Sequence, residues 1–321
     1  MTARLSLDDV ERARAAIRPF LPPTPLRRSF ALRRFGEGYV KLECWQPTGS
    51  FKVRGALSTL VSLSTDERRR GIVAASAGNH ALGVAFAVQA LGERTHATLF
   101  VPETAPRAKV EKLRTFEVDV HVEGATYDDA HALAMTHAQR TGATYVHAFD
   151  DPRTAAGQGT VGLEILDELP NVGAILVSVG GGGLIAGVAV AVKARAPGVR
   201  IVAVQPEASP ALTESIRQGR PLLEYPAGPT LADGIAGGIG EIVFEHRDLI
   251  DDVVLVSEHD MEDAIVALLA EDQVVAEASG AVGVAALRSG KYRAGGRPVA
   301  AIVTGGNIDT SVLRRLLSAR A

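Results

Sequence analysis

The stretch Ala174-Ile-Leu-Val-Ser-Val-Gly-Gly-Gly-Gly-Leu-Ile-Ala-Gly187 decides the fold of this chain. Its first half is an apolar run typical of a buried strand, and the apolar residues after the glycines are typical of a buried helix. The uncharged run 172–192 is long enough to cross a bilayer, but four consecutive glycines at its centre make a poor membrane helix. We therefore expect a strand over 174–179, a glycine loop, and a helix over 184–194.

The same alternation of strand and helix extends along nearly the whole chain. Short apolar runs predict strands over 72–75, 98–101, 118–122, 174–179, 201–204, 253–256 and 299–303. Helical patterns lie between them, over 81–91, 106–115, 127–140, 160–169, 184–194, 261–270 and 281–289. A length of 321 residues suggests about two domains. The pattern predicts an α/β protein with mostly parallel, twisted sheets covered by helices on both faces.

The composition excludes several classes of protein. Hydrophobic residues make up 46% and charged residues 22%, which argues against intrinsic disorder. A formal net charge of −3 offers no basic field for nucleic acid or an anionic membrane. Cys44 is the only cysteine, which fits a reducing compartment. The first residues lack the apolar core of a signal peptide, and Ser6 followed by Asp8 and Asp9 predicts a helix N-terminus. We expect a cytoplasmic protein that binds neither nucleic acid nor membrane.

The glycine loop Gly180-Gly181-Gly182-Gly183 is the first candidate site. Glycines after a strand and before a helix let main-chain N–H groups converge on a phosphate, aided by the helix dipole. The plain alternative is a tight turn. Gly181-x-Gly183-x-x-Ala186 also satisfies a dinucleotide fingerprint, with Glu207 as the ribose-binding acid, so a nicotinamide enzyme is a rival. The similar spacing in 157–162 has no strand before it, and we reject it as a dinucleotide site.

Lys52 is the second candidate. It lies between Phe51 and Val53, behind Ser50 as the expected cap, at a predicted helix start. An apolar pocket near a helix N-terminus disfavours the charged form of a lysine. Such a neutral amine suits Schiff-base chemistry, although a lysine that extends along a helix to solvent looks similar in sequence.

Two further loops follow predicted strands. Ser76-Ala77-Gly78-Asn79-His80 offers a hydroxyl, main-chain N–H groups and an amide that suit a carboxylate, or simply a helix cap. His80 is expected to donate to a main-chain carbonyl rather than to act as a base. Thr304 places a hydroxyl at the end of the last strand, where a helix cap by Asn307 or Asp309 is the plain alternative.

Together, these loops offer a phosphate cradle, an amine, a carboxylate site and a hydroxyl. That set suits a phosphorylated aldehyde that condenses with a lysine, whereas a nicotinamide leaves Lys52 without a role. The eight histidines are scattered and no His-Glu-x-x-His is present, so we expect no metal site. No Gly-x-Ser-x-Gly elbow supports a serine hydrolase.

The chain resembles the fold-type II pyridoxal-phosphate enzymes, the tryptophan synthase β-like superfamily, and within them the serine/threonine dehydratase and serine racemase group. The resemblance rests on motifs in the family's order: Thr24-Pro25-Leu26, Lys41-Leu42-Glu43, 46–56, 76–80, Val101-Pro102-Glu103, 156–160, 180–184, Ala232-Asp233-Gly234 and 304–309. It implies two three-layer domains. A large cofactor-binding domain would comprise 1–48 and 146–321, and a small domain would comprise 49–145. It also implies a homodimer or homotetramer.

The resemblance also implies roles for individual residues. Lys52 would form the Schiff base with pyridoxal 5′-phosphate and then remove the substrate's α-proton. Asn79 would bond the pyridine 3′-oxygen, and Thr304 would face the pyridine nitrogen. The implied cofactor set is Phe51, Lys52, Asn79, Gly180, Gly181, Gly182, Gly183, Leu184, Glu277 and Thr304. The implied substrate-carboxylate set is Ser76, Gly78, Asn79 and His80.

The expected reaction is loss of water from a 3-hydroxy amino acid of the L-threonine or L-serine type, giving a 2-oxo acid and ammonia. A neutral hydroxyl at Thr304 favours elimination over transamination. Racemases of the group carry a second serine where this chain has Ala77, so we expect weak or absent racemase activity. The turn Gln205-Pro206 departs from that of the cation-binding members, which makes a divalent metal doubtful.

Other reactions and other functions stay open. A racemase and a β-replacement enzyme are the alternatives within the family. The glycines of 231–241 could leave room for a bulkier 3-hydroxy amino acid. A non-catalytic amino-acid-binding protein is disfavoured, because such a protein has no need of a Schiff-base lysine.

Overall fold

Two β-sheets organise the chain. The computed structural model describes residues 4–76, 78–92, 95–105 and 107–319. Its strands are β1 (Leu26–Arg28), β2 (Gly38–Lys41), β3 (Ile72–Ala75), β4 (Ala97–Val101), β5 (Asp119–Val122), β6 (Thr144–Tyr145), β7 (Ala174–Ser178), β8 (Arg200–Pro206), β9 (Asp252–Val256) and β10 (Val299–Ile302). Its α-helices are α1 (Leu7–Ile17), α2 (Lys52–Ser62), α3 (Thr65–Arg70), α4 (Asn79–Leu91), α5 (Arg107–Leu113), α6 (Tyr127–Thr141), α7 (Pro152–Glu168), α8 (Gly183–Arg195), α9 (Ala211–Gln218), α10 (Glu241–Glu245), α11 (Glu258–Asp272), α12 (Ala278–Arg288) and α13 (Thr310–Ser318).

The strands form one six-stranded and one four-stranded sheet. The larger has the order β1-β2-β10-β7-β8-β9, and the smaller has the order β5-β4-β3-β6. The pair β1–β2 is antiparallel, and the other strand pairs in both sheets are parallel. The prediction of mostly parallel sheets is confirmed. Nothing in this topology fixes the predicted domain limits at 48/49 and 145/146, which stay a prediction.

Each sheet is the middle of three layers, because its central strand is buried on both faces. Ile175 and Val177 of β7 pack in the cluster that contains α1, α7 and α8. Ala174 and Leu176 of the same strand point the other way, into the cluster that contains α11 and α12. Full burial of each large apolar side chain stabilises the fold by roughly 1.5–3 kcal/mol. The smaller sheet follows the same rule, with α2 and α4 on one face and α6 on the other.

One helix starts earlier than predicted. We expect a helix only from residue 160, but α7 begins at Pro152. The Asp151 side chain accepts from the N–H groups of Arg153 and Thr154, and proline suits the first helical position. The glycines of the rejected dinucleotide spacing therefore lie inside this helix. A Cβ on Gly159 would stand 2.6 Å from the Gly187 carbonyl oxygen, so that glycine lets α7 approach α8 closely.

The structure confirms two of the smaller predictions and contradicts a third. Ser6 caps α1 and accepts from the Asp9 N–H, as expected. The prediction that Ser50 caps α2 is wrong. Phe51 is the N-cap residue and makes no capping hydrogen bond with its side chain. Ser50 instead pairs with Gly305 in an isolated antiparallel β-bridge. The strand–loop–helix interpretation of 172–192 is confirmed by β7 and α8. In the described ranges, no helix is long and apolar enough to cross a membrane.

Candidate active site

One cavity of about 830 Å³ brings the predicted site residues together. It opens where β3, β7 and β10 end, which is where ligands bind in parallel α/β sheets. The predicted residues that line it are Phe51, Lys52, Ser76, Gly78, Asn79, His80, Gly180, Gly181, Gly182, Gly183, Leu184, Glu277 and Thr304. Ala77 and Pro106 lie outside the described residues.

Lys52 is the first residue of α2 and projects into this cavity. Its Nζ donates to the Ala148 carbonyl at 2.9 Å. The ammonium lies 5.2 Å from the centre of the Phe51 ring and 6.0 Å from that of Phe149. Burial lowers the pKa of Lys52 to about 8. A sizeable fraction of the amine is therefore neutral near physiological pH, as a nucleophile or general base requires.

A buried ion network fixes the start of α2. The Arg54 guanidinium donates to Glu43 Oε2 and Glu164 Oε1, each at 2.7 Å. Lys41 Nζ lies 2.9 Å from Glu164 Oε2. Since Arg54 stands two residues after Lys52, this network ties the lysine's helix to α7 and to the segment after β2. The network holds the backbone that carries the amine.

The glycine loop connects β7 to α8. A Cβ on Gly181 would lie within 3.0 Å of the Phe149 ring, and one on Gly182, at φ +89°, within 3.0 Å of the Val243 side chain. Larger residues do not fit there. The Gly181 carbonyl accepts from the Gly240 N–H at 2.9 Å. The first N–H groups of α8 have no intrahelical acceptor and suit an anion.

The loop after β3 starts α4 and forms a second polar wall. Ser76 Oγ accepts from the Gly78 N–H at 3.1 Å. His80 Nε2 lies 2.9 Å from the Val146 carbonyl oxygen. Burial, with the nearby Lys52 charge, lowers the pKa of His80 to about 3. The neutral ring therefore donates to that carbonyl, as expected, and is a poor proton acceptor.

Hydroxyl groups gather at the end of β10. Thr304 Oγ1 donates to the Ser279 carbonyl and accepts from Ser178 Oγ, both at 3.3 Å. Ser279 Oγ is buried and has no hydrogen-bond partner in the part of the chain that the structure describes. Ser178, Ser279 and Thr304 all line the cavity. This wall can bond a neutral or weakly basic ring nitrogen.

Glu277 closes the same end of the cavity. Asn79 Nδ2 donates to Glu277 Oε1 at 2.6 Å. Burial raises the pKa of Glu277 to about 7, against the lowering effect of the Asn79 hydrogen bond. Asn79 therefore spends one of its two N–H hydrogens on this acid.

Sequence reasoning missed several cavity residues. Lys109 on α5 makes a loose ion pair with Asp233, at 3.7 Å between Nζ and Oδ2. The Lys109 Nζ lies 3.6 Å from the place that a Cβ on residue 78 would take. Tyr127 and Gln158 also line the cavity. Lys109 and Tyr127 sit on helices whose orientation depends on packing, so no local pattern marks them, and Gln158 stands out only as part of the motif 156–160.

The cavity fits pyridoxal phosphate on its own geometry. The glycine loop lines it at positions where a Cβ would collide with Ile235, Phe149 or Val243, so only main-chain atoms of the loop face the cavity. A hydroxyl with no partner among the described residues is buried in its wall, and an amine with a lowered pKa projects into it. These features match a phosphate, a polar ring and an aldehyde, respectively. Among the described residues, no group of three or more His, Cys, Asp or Glu could hold a metal ion.

Comparisons with known proteins agree with this geometry. A family described as "Pyridoxal-phosphate dependent enzyme" matches residues 17–305. L-threonine ammonia-lyase of Thermotoga maritima is 44% identical, over 98% of this chain and 78% of that protein. Maize serine racemase superposes with a TM-score of 0.92 at 32% identity, covering 99% of this chain and 98% of that one. The processed form of threonine deaminase isoform 2 from Solanum lycopersicum gives 0.89 at 34%, covering 97% and 88%. This chain therefore belongs to the pyridoxal-phosphate dependent enzymes, of fold type II as its motifs predict.

Proposed function

We propose that this protein is a pyridoxal-phosphate dependent ammonia-lyase. Its substrate is a 3-hydroxy amino acid of the L-threonine or L-serine type, and its products are a 2-oxo acid and ammonia. The observation that carries the proposal is Lys52, an amine with a pKa of about 8 in the same cavity as an anion cradle and a carboxylate cradle. The names of the L-threonine ammonia-lyase and threonine deaminase relatives support it.

The cofactor and the chain divide the work. When bound, pyridoxal phosphate supplies a carbonyl that condenses with amines and a ring that accepts electron density from the substrate α-carbon. The N–H groups of the glycine loop and of Leu184 would hold its phosphate. Lys52 would hold its carbonyl end, and the Lys52 Nζ would accept the α-proton of the substrate. Phe51 packs beside the lysine and excludes water from it.

The polar end of the cavity favours elimination. We assign Thr304 to the pyridine nitrogen, where its neighbours are the hydroxyl groups of Ser178 and Ser279. A neutral hydroxyl does not hold a proton on that nitrogen as a carboxylate does. Beside this hydroxyl the group would supply only a modest electron sink, and such a sink favours departure of a leaving group from the β-carbon. This supports loss of water over transamination.

The carboxylate cradle orients the substrate. We assign Ser76, Gly78, Asn79 and His80 to the substrate carboxylate. Lys109 adds a positive charge beside this cradle and is held only loosely by Asp233. Because Asp233 pairs with the Lys109 ammonium only at 3.7 Å, a substrate carboxylate in the cradle would add a second attractive interaction with that ammonium.

Two alternatives within the family keep specific support. The likeness to maize serine racemase favours a racemase, but residue 77 is an alanine, which has no ionisable group, where racemases of the group carry a serine. A bulkier 3-hydroxy amino acid is supported by open space beside Gly237, where a Cβ would meet nothing within 4 Å. We prefer the threonine and serine type because of the relatives' names.

We also propose a cytoplasmic homodimer or homotetramer without nucleic-acid or membrane partners. The net charge of −3 supports the absence of polyanionic partners. Cys44 is buried, and burial raises the pKa of its thiol to about 12. Such a thiol stays protonated and reduced, which suits a cytoplasmic protein.

Substrate profiling tests the proposal. Purified protein with pyridoxal phosphate is given L-threonine, L-serine and bulkier 3-hydroxy amino acids, and ammonia, 2-oxo acid and D-isomers are measured together. We expect ammonia and 2-oxo acid in equal amounts. Lys52→Ala should abolish both products, while Lys193→Ala, on α8 and outside the cavity, should not. A D-isomer without ammonia would identify a racemase instead.

A further inference from the structure

Four side chains form a continuous hydrogen-bonded row from the surface to the cavity. Lys112 Nζ donates to Asn307 Oδ1 at 2.9 Å. Asn307 Nδ2 donates to Asn79 Oδ1 at 2.7 Å, and Asn79 Nδ2 donates to Glu277 Oε1 at 2.6 Å. Lys112 is exposed on α5, whereas Asn79 and Glu277 line the cavity. We call these four residues the amide relay.

The chemistry of the two ends fixes the direction of the relay. Lys112 can only donate, so the end of the Asn307 amide that faces it is the oxygen. The Thr48 carbonyl can only accept, and it lies 2.9 Å from Asn307 Nδ2. Asn307 therefore turns its nitrogen toward Asn79, which must present its oxygen there. The Asn79 nitrogen is left to face Glu277 Oε1, at 2.6 Å. The two fixed ends, Lys112 and Thr48, thus set the orientation of both amides.

Asn307 is also held by shape. Its Nδ2 uses both hydrogens, one on Thr48 and one on Asn79. Its Oδ1 lies 2.6 Å from the position that a Cβ would occupy on Gly49, where the backbone has φ +77°. Any side chain at 49 would collide with the Asn307 amide. The turn just before Lys52 thus leaves room for this asparagine.

The relay leaves Asn79 in one defined state. Its oxygen is occupied by Asn307, and one of its two N–H hydrogens is used by Glu277. Its second N–H hydrogen has no acceptor among the residues that the structure describes, and it is available to a ligand in the cavity. We propose that Asn307 and Lys112 are positioning residues that make Asn79 a hydrogen-bond donor toward the pyridine 3′-oxygen. This inference rests on the proposed function and on the role at the pyridine 3′-oxygen that the family resemblance implies for the Asn79 side chain.

Substitution at 307 tests the relay. Asn307→Leu and Asn307→Asp both remove the donor to Asn79 and nearly keep the size of the side chain. Without that donor, Asn79 can rotate and turn its oxygen toward the ring. Lys112→Met removes only the exposed end and threatens the fold least. Asn171→Asp, at an exposed position remote from the cavity, is the matched control.

The measurements are the dissociation constant of pyridoxal phosphate, the visible absorption band of the bound cofactor, and thermal unfolding of the cofactor-free protein. Both Asn307 variants should raise the dissociation constant about 10-fold or more, the worth of one strong hydrogen bond. Both should also shift the visible band, because the 3′-oxygen belongs to the chromophore. Lys112→Met should raise the constant by about 2- to 5-fold, since Thr48 still orients Asn307. Asn171→Asp should change neither.

The outcomes separate this inference from the proposed function. If the unmodified protein fails to bind pyridoxal phosphate, the proposed function is wrong and the relay falls with it. If it binds but neither Asn307 variant moves the constant or the band, only the relay is refuted. An effect of Asn307→Asp without one of Asn307→Leu would mean that the added charge acts, which also refutes the relay.

Discussion

The Gly181→Ala substitution is expected to disable the glycine loop by steric contact alone. The new Cβ would lie within 3.0 Å of three carbon atoms of the Phe149 ring, where ordinary contacts are 3.4–4 Å. Overpacking of this kind costs about 1–3 kcal/mol of stability. Gly181 does not have a positive φ, so the lower entropy of the unfolded chain returns roughly 0.4–1 kcal/mol. We expect a net loss of about 1–2 kcal/mol.

Function should suffer more than stability. The contact can be relieved only by moving the ring or the loop, and a shift of the loop misaligns the N–H groups that we assign to the phosphate. Loss of one such charge-assisted bond corresponds to a dissociation constant for pyridoxal phosphate that is about 10-fold or more higher. Urea unfolding measures the stability, and a titration of cofactor absorbance measures the affinity.

A matched control and a double-mutant cycle isolate the contact. A Cβ on Gly198 would meet nothing within 4 Å, so Gly198→Ala should leave affinity unchanged and stability equal or slightly higher. In a Phe149→Ala background the ring is absent, and Gly181→Ala should then lose most of its effect. An equal effect of Gly181→Ala in both backgrounds would refute the steric reasoning.

Three further predictions follow from the site. The rate at which cofactor-free protein captures pyridoxal phosphate should rise with pH through about 8, because burial lowers the pKa of Lys52 and only the neutral amine attacks; stopped-flow absorbance measures it, and a midpoint near the ordinary lysine value of about 10.4 would contradict it. Arg54→Met should lower the free energy of unfolding in urea by about 3–5 kcal/mol, because Glu43 and Glu164 are left as buried, poorly compensated charges. Burial alone would raise the pKa of Glu164, but Arg54 holds it below its usual value, so this stabilisation is present above about pH 4.3 and is lost as pH falls further. A variant as stable as the parent at pH 7 would contradict the network's role. Lys109→Met should raise KM for L-threonine about 10-fold with little change in kcat, because the charge acts on the bound carboxylate; steady-state kinetics decide, and an unchanged KM would remove Lys109 from the site.

Much of the fold can be predicted from the sequence, because the central strands are short and buried on both faces. In β7 and β3 every residue is buried, and such apolar runs stand out from the helices. The loops after parallel strands must meet at one edge of a sheet. Lys52, Asn79, Gly181 and Thr304 therefore come together in the structure as their positions after turns and strands suggest.

The remaining features depend on packing between distant segments. Asn307 looks like a helix cap in sequence, yet its amide bonds Asn79, and Asp309 caps α13. Lys109 lies on a short helix with another lysine, Lys112, and only its closeness to Gly78 in the structure identifies it as a site residue. The start of α7 at Pro152 is hard to predict, because glycines 157, 159 and 162 have the spacing of a nucleotide-binding loop. In the structure these glycines lie inside the helix and allow close contacts with neighbouring helices.

Identification of the lysine that captures the cofactor is the most direct test of the central claim. The protein is loaded with pyridoxal phosphate, reduced with borohydride to fix the adduct, digested and mapped by mass spectrometry. The predicted result is a single modified peptide carrying the adduct on Lys52. An adduct on another lysine instead, or no adduct in folded protein, would contradict the assignment.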